Sequence, residues 1–326
     1  MDYNRIFEAF NHQKVMIVGD VMVDAYLWGH VDRISPEAPV PVVAVDKRAN
    51  RLGGAANVAL NVKALGATPI PCAVTGKDEK GQEFKELLKK RGISDEGIIT
   101  SKYRSTTTKF RVIGNNTQML RVDEETTDDL NPEEQQLFLD NCKKIMDQHK
   151  PDVIIFEDYD KGLITKDVIR DISSLAQELN IPVVTDPKRN NFLAYKQLSL
   201  FKPNLKELKE GLGLNNIDTF DEIEKAIFKL QDMQGHDLIM VTLSDQGVMI
   251  SDGYEIIRVP AHFRSITDVS GAGDTVVSVA ALCLAQGLDK KTVAALSNLA
   301  GGLVCEHVGV VPVDKENFLT EANRLL

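Results

Sequence analysis

The chain has 326 residues, of which 43% are hydrophobic, and a formal net charge of -10. That length accommodates one large or two modest domains, and the acidic balance argues against nucleic acid or an anionic membrane as a general partner while leaving room for a local basic pocket. No apolar run approaches the roughly 20 residues of a membrane span, residues 1–14 carry neither a signal nor a transit pattern, and the four cysteines (Cys72, Cys142, Cys283, Cys305) include no CxxC pair, so a cytoplasmic protein with reduced thiols is expected.

Val15-Met16-Ile17-Val18-Gly19 fits a buried first strand, and Asp20 to Asp24 lie just past its carboxyl end. Carboxylates there commonly meet ligands in parallel α/β sheets. Asp24 therefore reads either as a ligand for sugar hydroxyls or as a solvated loop acid. Residues 25–50 contain three closely spaced prolines, Pro36, Pro39 and Pro41, which exclude a helix and a central strand and predict an extended edge or flap. Gly53-Gly54-Ala55-Ala56-Asn57 opens a predicted helix that ends at Gly66. Its small first turn suits either a ligand against the backbone, with Asn57 pointing at it, or tight helix packing. A strand over 70–74 and a helix over 82–91 follow. Thr106 to Ile113 and Thr117 to Asp123 flank Gly114-Asn115-Asn116, a hairpin signal. Residues 25–50 and 104–123 together predict a small sheet standing off the main body as a lid.

From Pro132 the strand–helix alternation is regular, with strands over 153–156, 183–185 and 238–242 and a hairpin through Asp252-Gly253. This predicts a single α/β domain over 1–326, built on a doubly wound, mostly parallel sheet. Asp158, Lys161, Asp186, Lys188, Asn204 and Glu207 fall at strand ends, hence along one edge of that sheet. No GxxxxGK[ST] occurs and no GxGxxG follows a strand, so neither a P-loop nor a dinucleotide site is supported. Asp268-Val269-Ser270-Gly271-Ala272-Gly273-Asp274 precedes an apolar, helix-like run. Small residues before a helix N-terminus suit phosphate, giving an anion hole with Asp274 at its lip, although a glycine turn capped by Asp274 fits the same seven residues.

Gly53-Gly54-Ala55-Ala56-Asn57, Asn204-x-x-Glu207 and Asp268 to Asp274, in that order, resemble the signature motifs of the PfkB/ribokinase family of carbohydrate kinases. The resemblance covers essentially the whole chain. It implies a ribokinase-like fold and ATP as phosphoryl donor, with Asp274 as general base and the amides of Gly271, Ala272 and Gly273 as anion hole. It places Asp24, Gly53, Gly54 and Asn57 at the sugar, and Lys188, Thr242, Ser244, Gly247 and Asn298 along the nucleotide. Asn204 and Glu207 would organise Mg2+ through water. Asp268, Ser270, Val304, His307, Gly309 and Val313 match a monovalent-cation site, with K+ as the candidate ion. Ser244 stands where ribokinase itself commonly has glycine.

Arg33 to Val42, Thr107 to Asp123 and Asp158 to Gly162 resemble the branch that phosphorylates C1 of D-glycero-β-D-manno-heptose 7-phosphate, for ADP-heptose and lipopolysaccharide synthesis. The chain stops at Leu326, so it resembles a kinase-only version of a commonly bifunctional protein. A sugar already phosphorylated at C7 needs a cationic pocket, for which Lys109, Arg111, Arg121, Lys161 and Lys188 are the candidates, with Asp158 beside them. Kinases for ribose, fructose, 2-keto-3-deoxygluconate or another sugar phosphate share the motifs, and a non-catalytic sugar-binding regulator is the remaining alternative. In relatives the lid sheets pack together, so a homodimer is expected.

Overall fold

The computed structural model describes every residue except 215, 216 and 218. It begins with a helix that the polar look of residues 1–14 conceals, α1 (Tyr3–Phe10), capped by Asp2 and burying Ile6, Phe7 and Phe10. β1 (Lys14–Gly19) follows. After Asp20 alone, β2 (Val21–Ile34) leaves the main body and β3 (Pro41–Gly54) returns antiparallel to it. Pro36 and Pro39 fall in the turn between them, and Pro41 starts an edge strand, where a missing N–H costs no ladder bond. α2 (Ala55–Ala64), β4 (Thr68–Gly76), α3 (Glu79–Lys90) and β5 (Ile98–Ser101) complete the N-terminal half. β6 (Thr108–Gly114) and β7 (Thr117–Glu124) form the expected hairpin, with φ of 50° at Asn115 and 63° at Asn116, as a tight two-residue turn requires.

The second half alternates α4 (Pro132–His149), β8 (Val153–Glu157), α5 (Lys166–Glu178), β9 (Val183–Asp186), β10 (Leu200–Phe201), α6 (Leu205–Leu212), α7 (Phe220–Gln234) and β11 (Leu238–Thr242). The antiparallel pair β12 (Val248–Ser251) and β13 (Ile256–Val259) then leads to α8 (Ala272–Ala285), α9 (Lys290–Val304) and α10 (Lys315–Leu325). Among the described residues these strands make a nine-stranded sheet, ordered β13-β12-β11-β10-β9-β8-β1-β4-β5, and a four-stranded sheet, ordered β3-β2-β6-β7. The large sheet is parallel from β5 through β11. Its direction of growth reverses between β1 and β8, and the crevice of such a fold opens outside the strand ends at that point. α8, buried from Asp274 to Cys283, packs on β8 and β9 and between α2 and α9, which aims its N-terminus at the crevice. No described helix is long and apolar enough to cross a membrane.

One local expectation changes. Asp24 is not past the strand end but inside β2, at the root of the small sheet. The glycine pair ends β3 and opens the expected helix, Gly54 reaching a φ of 62° as the N-cap of α2.

Candidate active site

Gly271, at a φ of 79°, turns the chain into α8 without a side-chain cap, so the first-turn amides of that helix lack both an intrahelical acceptor and a capping oxygen. The expected trio of amides is altered in one respect. The Ala272 N–H is donated to the Val269 carbonyl at 3.3 Å, leaving Gly273 and Asp274 to face the crevice. Gly273 passes close over a buried ion pair: a Cβ there would lie 3.4 Å from Asp186 Oδ2 and 3.9 Å from Lys202 Nζ.

Asp274 is 8% exposed. Its Oδ2 accepts from Asn57 Nδ2 at 2.5 Å and its Oδ1 from the Tyr159 hydroxyl at 3.1 Å. Burial pushes its carboxyl up to about 6, and the two hydrogen bonds limit the rise by favouring the charged form. Behind it stand Glu157 and Asp186, at the ends of β8 and β9. Burial would raise Asp186, but Lys202 at 2.9 Å and Lys188 at 3.5 Å hold it below the usual carboxylate range. Asp20 anchors the loop that carries Tyr159, accepting from the N–H groups of Tyr159, Lys161 and Leu163 at 2.9, 3.1 and 3.4 Å.

A cavity of about 900 Å³ runs from Thr242, Ser244 and Gly247 past Asn204 and Asn298 to Ala272 and Gly273. Its size suits a nucleotide-sized ligand. It brings together the predicted Asn204, Thr242, Ser244, Gly247 and Asn298, and adds His262 and Phe263, which no motif marks. The Asn298 amide is donated to the Pro260 carbonyl.

The small sheet presents one charged face. Asp24 pairs in register with Arg51 and Lys109, and Tyr26 with Arg111, so these side chains share a side. Asp24 lies against Gly53, where a Cβ would come within 2.4 Å of its Oδ2, and its Oδ1 accepts from Arg111 Nη1 at 2.5 Å. Arg111 is thus the counter-ion of Asp24. Arg121 pairs with Asp123 and Lys161 with Glu125, both at 2.8 Å. Lys109 is half-buried; its carbonyl accepts from Arg111 Nη1 at 3.4 Å, and its ammonium has no hydrogen-bond or ion-pair partner among the described residues. Burial lowers its ammonium, Asp123 and Glu125 nearby oppose that, and Arg121 and Lys161 push the same way as burial. Asp158 corrects its expectation: it is fully buried, facing away from the crevice toward Asn191, Tyr195 and its own loop, and is pushed up to about 7 by burial.

The profile of the pfkB family of carbohydrate kinases matches residues 12–316. This chain belongs to that family. The pfkB chain is 40% identical over 307 residues to the bifunctional protein HldE of Desulfatibacillum aliphaticivorans, covering 94% of this chain and 62% of that protein. It is 37% identical over 297 residues to HldE of Helicobacter pylori, covering 91% and 64%. It therefore spans just under two thirds of these relatives' length. The ribokinase-like fold is shared with phosphofructokinase-2 from Escherichia coli, solved in complex with potassium, at a TM-score of 0.78 and 18% identity over 96% of this chain and 99% of that one. Ribokinase from Arabidopsis thaliana, complexed with ribose and ATP, gives 0.71 and 15% over 94% and 98%. As a pfkB enzyme the chain is an ATP-dependent carbohydrate kinase.

The cation-binding expectations meet specific geometry. Asn204 and Glu207 form a capping box on α6: Asn204 Oδ1 accepts from Glu207 N, and Glu207 Oε2 from Asn204 N. Glu207 Oε1 also accepts from Lys188 at 2.6 Å. Each Glu207 oxygen and Asn204 Oδ1 accepts one bond and keeps a lone pair for water, so both residues fit an outer-sphere magnesium contact. In the other set, Asp268 accepts from the N–H groups of Ser270 and Gly309, both at 2.9 Å, which ties the loop before α8 to the segment after α9. Val304 O accepts from His307 N, and Val313 N–H is donated to Asn61. Sequence reading missed Tyr159, Asp20, Asn61, Glu157 and Lys202, none of which lies in a glycine-rich motif.

Proposed function

We propose that this kinase transfers the γ-phosphoryl group of ATP to the C1 hydroxyl of D-glycero-β-D-manno-heptose 7-phosphate, giving the 1,7-bisphosphate and ADP. The observation that carries the transfer is Asp274: a buried carboxylate raised toward neutral pH, beside uncapped helix amides at the end of a nucleotide-sized cavity. Asp274 takes the hydroxyl proton as the sugar oxygen attacks phosphorus. The amides of Gly273 and Asp274, with Gly271, receive the charge that develops on the phosphoryl oxygens. Asp24 and Asn57 orient the sugar between the small sheet and α8. Magnesium supplies charge neutralisation of the nucleotide when bound, and Glu207 and Asn204 are the residues placed to hold it through water. Asp268 and the carbonyls around His307 are the proposed monovalent-cation site.

The sugar's identity rests on the resemblance of Arg33 to Val42 and Asp158 to Gly162 to the heptose 7-phosphate branch, on the similarity to HldE proteins, and on Lys109. A half-buried ammonium with no direct side-chain partner, set among Arg121, Lys161, Asp123 and Glu125, is suited to a distal phosphate. The domain reading follows: one kinase unit, with lid insertions at about 25–50 and 104–123. The other face of the small sheet carries exposed Leu120 and Val122, in register with Val112 and Phe110, and supports dimerisation through the lids. The four cysteines are free and buried, which favours the cytoplasm. A coupled ADP-release assay across heptose 7-phosphate, fructose 6-phosphate, ribose and ketodeoxygluconate tests the substrate. Turnover of unphosphorylated sugars alone would sink it, and a monomer in sedimentation at micromolar concentration would sink the dimer.

A further inference from the structure

One guanidinium on the charged face of the small sheet has no anion. Arg51 on β3 and Lys109 on β6 pair in register with Asp24 from opposite sides, so the three side chains share that face. Asp24 is taken by Arg111. Arg51 is exposed, and its guanidinium has neither a hydrogen bond nor an ion pair among the described residues. It lies over the Tyr26 ring, 5.0 Å from the centroid, and Arg111 stands 5.2 Å from the same centroid. Two guanidinium groups at one ring repel each other, and Asp24 offsets only one of them. Arg51 also reaches the opposite wall of the crevice. Its Nη1 lies 3.5 Å from where a Cβ on Gly309 would stand, and a Cβ on Gly271 would meet Val310 Cγ1 at 3.0 Å. The Gly309-Val310 segment thus neighbours both Arg51 and the residue that turns the chain into α8. Asp268, the acid of that loop, is engaged by the N–H groups of Ser270 and Gly309 and not by Arg51.

We infer that Arg51 is a catalytic residue of the transfer: its guanidinium binds the phosphoryl group in passage from nucleotide to sugar, from the small sheet's side of the crevice. The first-turn amides of α8 bind the same group from the other side. In that step the bond from phosphorus to the sugar oxygen forms while the bond from phosphorus to the β–γ bridging oxygen of ATP breaks. The electron pair of the broken bond leaves with ADP, and the hydroxyl proton passes to Asp274. Arg51 forms no covalent bond and gives up no proton. It opposes the charge on the equatorial oxygens, and its planar fork of N–H donors suits two of them at once. The contact with Tyr26 holds the guanidinium in place without using those N–H groups. Arg111 cannot take this part, because Asp24 already neutralises it. Neighbouring strands lie about 4.7–4.9 Å apart, so Arg51 and Lys109 leave the sheet roughly 9.5 Å apart with Asp24 between them. A sugar held at Asp24 therefore has a cation toward each end. That layout fits a substrate phosphorylated at one end and gaining a phosphate at the other.

The inference rests on the proposed placement of the sugar at Asp24, though not on which sugar it is, so the assay uses whichever sugar the wild-type enzyme turns over. Steady-state ADP release is measured for Arg51→Gln and Arg51→Lys. Arg51→Gln should lower kcat about 10- to 100-fold, with KM for sugar and for ATP changed less than about threefold, because the contact is made in the transition state. Arg51→Lys keeps the charge and loses the fork, so its kcat should fall between the two. Inhibition by ADP with aluminium fluoride, a stand-in for the phosphoryl group in flight, should weaken at least about tenfold in Arg51→Gln. Thermal melts provide the fold control, and an exposed side chain should leave the melting temperature near that of wild type. Asp24→Asn, assayed alongside, tests the sugar's placement by itself through KM for the sugar, so the two readings can fail independently. A wild-type kcat in Arg51→Gln, a loss confined to KM for the sugar, or undiminished inhibition by aluminium fluoride would overturn the assignment of Arg51.

Discussion

The side-chain amide of Asn57 is donated to the Asp274 carboxylate at 2.5 Å, joining the first turn of α2 to the first turn of α8 across the crevice. Asn57 is itself held from below, because Asn61 donates to its carbonyl while accepting from Thr275 and Val313. A hydrogen bond to a charged group contributes roughly 1.5–3 kcal/mol, so Asn57→Ala should lower kcat about 10- to 100-fold. Steady-state ADP release measures it. A kcat equal to wild type would mean that Asp274 keeps its geometry without this bond.

The pH profile follows from the same carboxylate. Asp274 must be ionised to accept a proton, and burial has pushed it up to about 6. kcat/KM should therefore rise with pH through an apparent value near 6 and level off above it. Tyr159 donates to the ionised form, so Tyr159→Phe should move that acid limb to higher pH. An unmoved limb would remove Tyr159 from the base's environment.

Asp274→Asn separates function from stability. The rate should fall by roughly 10²–10⁴, with sugar binding retained. The folded carboxyl titrates near 6 against 3.8 for the ordinary group, so its charged form opposes folding. That cost grows as pH rises from about 4 through about 6 and is complete above. Asp274→Asn should consequently melt at or above wild type at pH 7, with the gap closing below pH 4 in calorimetry. A clearly lower melting temperature at neutral pH would contradict this sign.

Ser244 adopts a φ of 57°, a left-handed conformation that favours glycine. Ser244→Gly should relieve about 1 kcal/mol of strain and raise the melting temperature, provided the added chain entropy is smaller. Comparing KM for ATP in the same variant asks a second question: an increase assigns the hydroxyl to nucleotide binding, and no change assigns the position to the turn alone.

Lys109→Ala should raise KM for heptose 7-phosphate at least about tenfold while leaving any turnover of the unphosphorylated sugar unchanged, since a charge-assisted bond to phosphate is lost. Equal losses on both sugars would move Lys109 from the distal phosphate to the sugar ring.

Local chemistry made most of the large sheet legible. β8 and β11 run over the residues that strand patterning marks, and the Asn115-Asn116 turn announces β6 and β7. α1 escaped because two flanking acids and an arginine mask the apolar stripe of Ile6, Phe7 and Phe10. The glycine-rich motifs exposed Gly271, Gly273 and Asp274, where backbone conformation restricts residue choice. Tyr159, Asp20 and Lys202 stayed hidden because their roles arise only when β1, β8, β9 and β10 lie side by side. Asp158 misled for a related reason. Its position at a strand end is right, but its side chain satisfies Asn191 and Tyr195 in the interior.

The small sheet joins the body at four places: tightly through Asp20 and Gly54 at the roots of β2 and β3, and through the loops 102–107 and 125–131 at the roots of β6 and β7; Asp24 and Gly53 lie close to the two tight joints. Any tilt of the sheet therefore displaces the sugar-facing groups with it, as the short arm of a lever moves with the long one. The nucleotide cavity takes none of its described lining from that sheet. On the proposed site assignment the two substrates meet different mechanics: ATP would enter a cavity that the small sheet does not line, while the sugar would be captured against the sheet itself. Isotope trapping should accordingly find bound sugar committed to turnover more often than bound ATP.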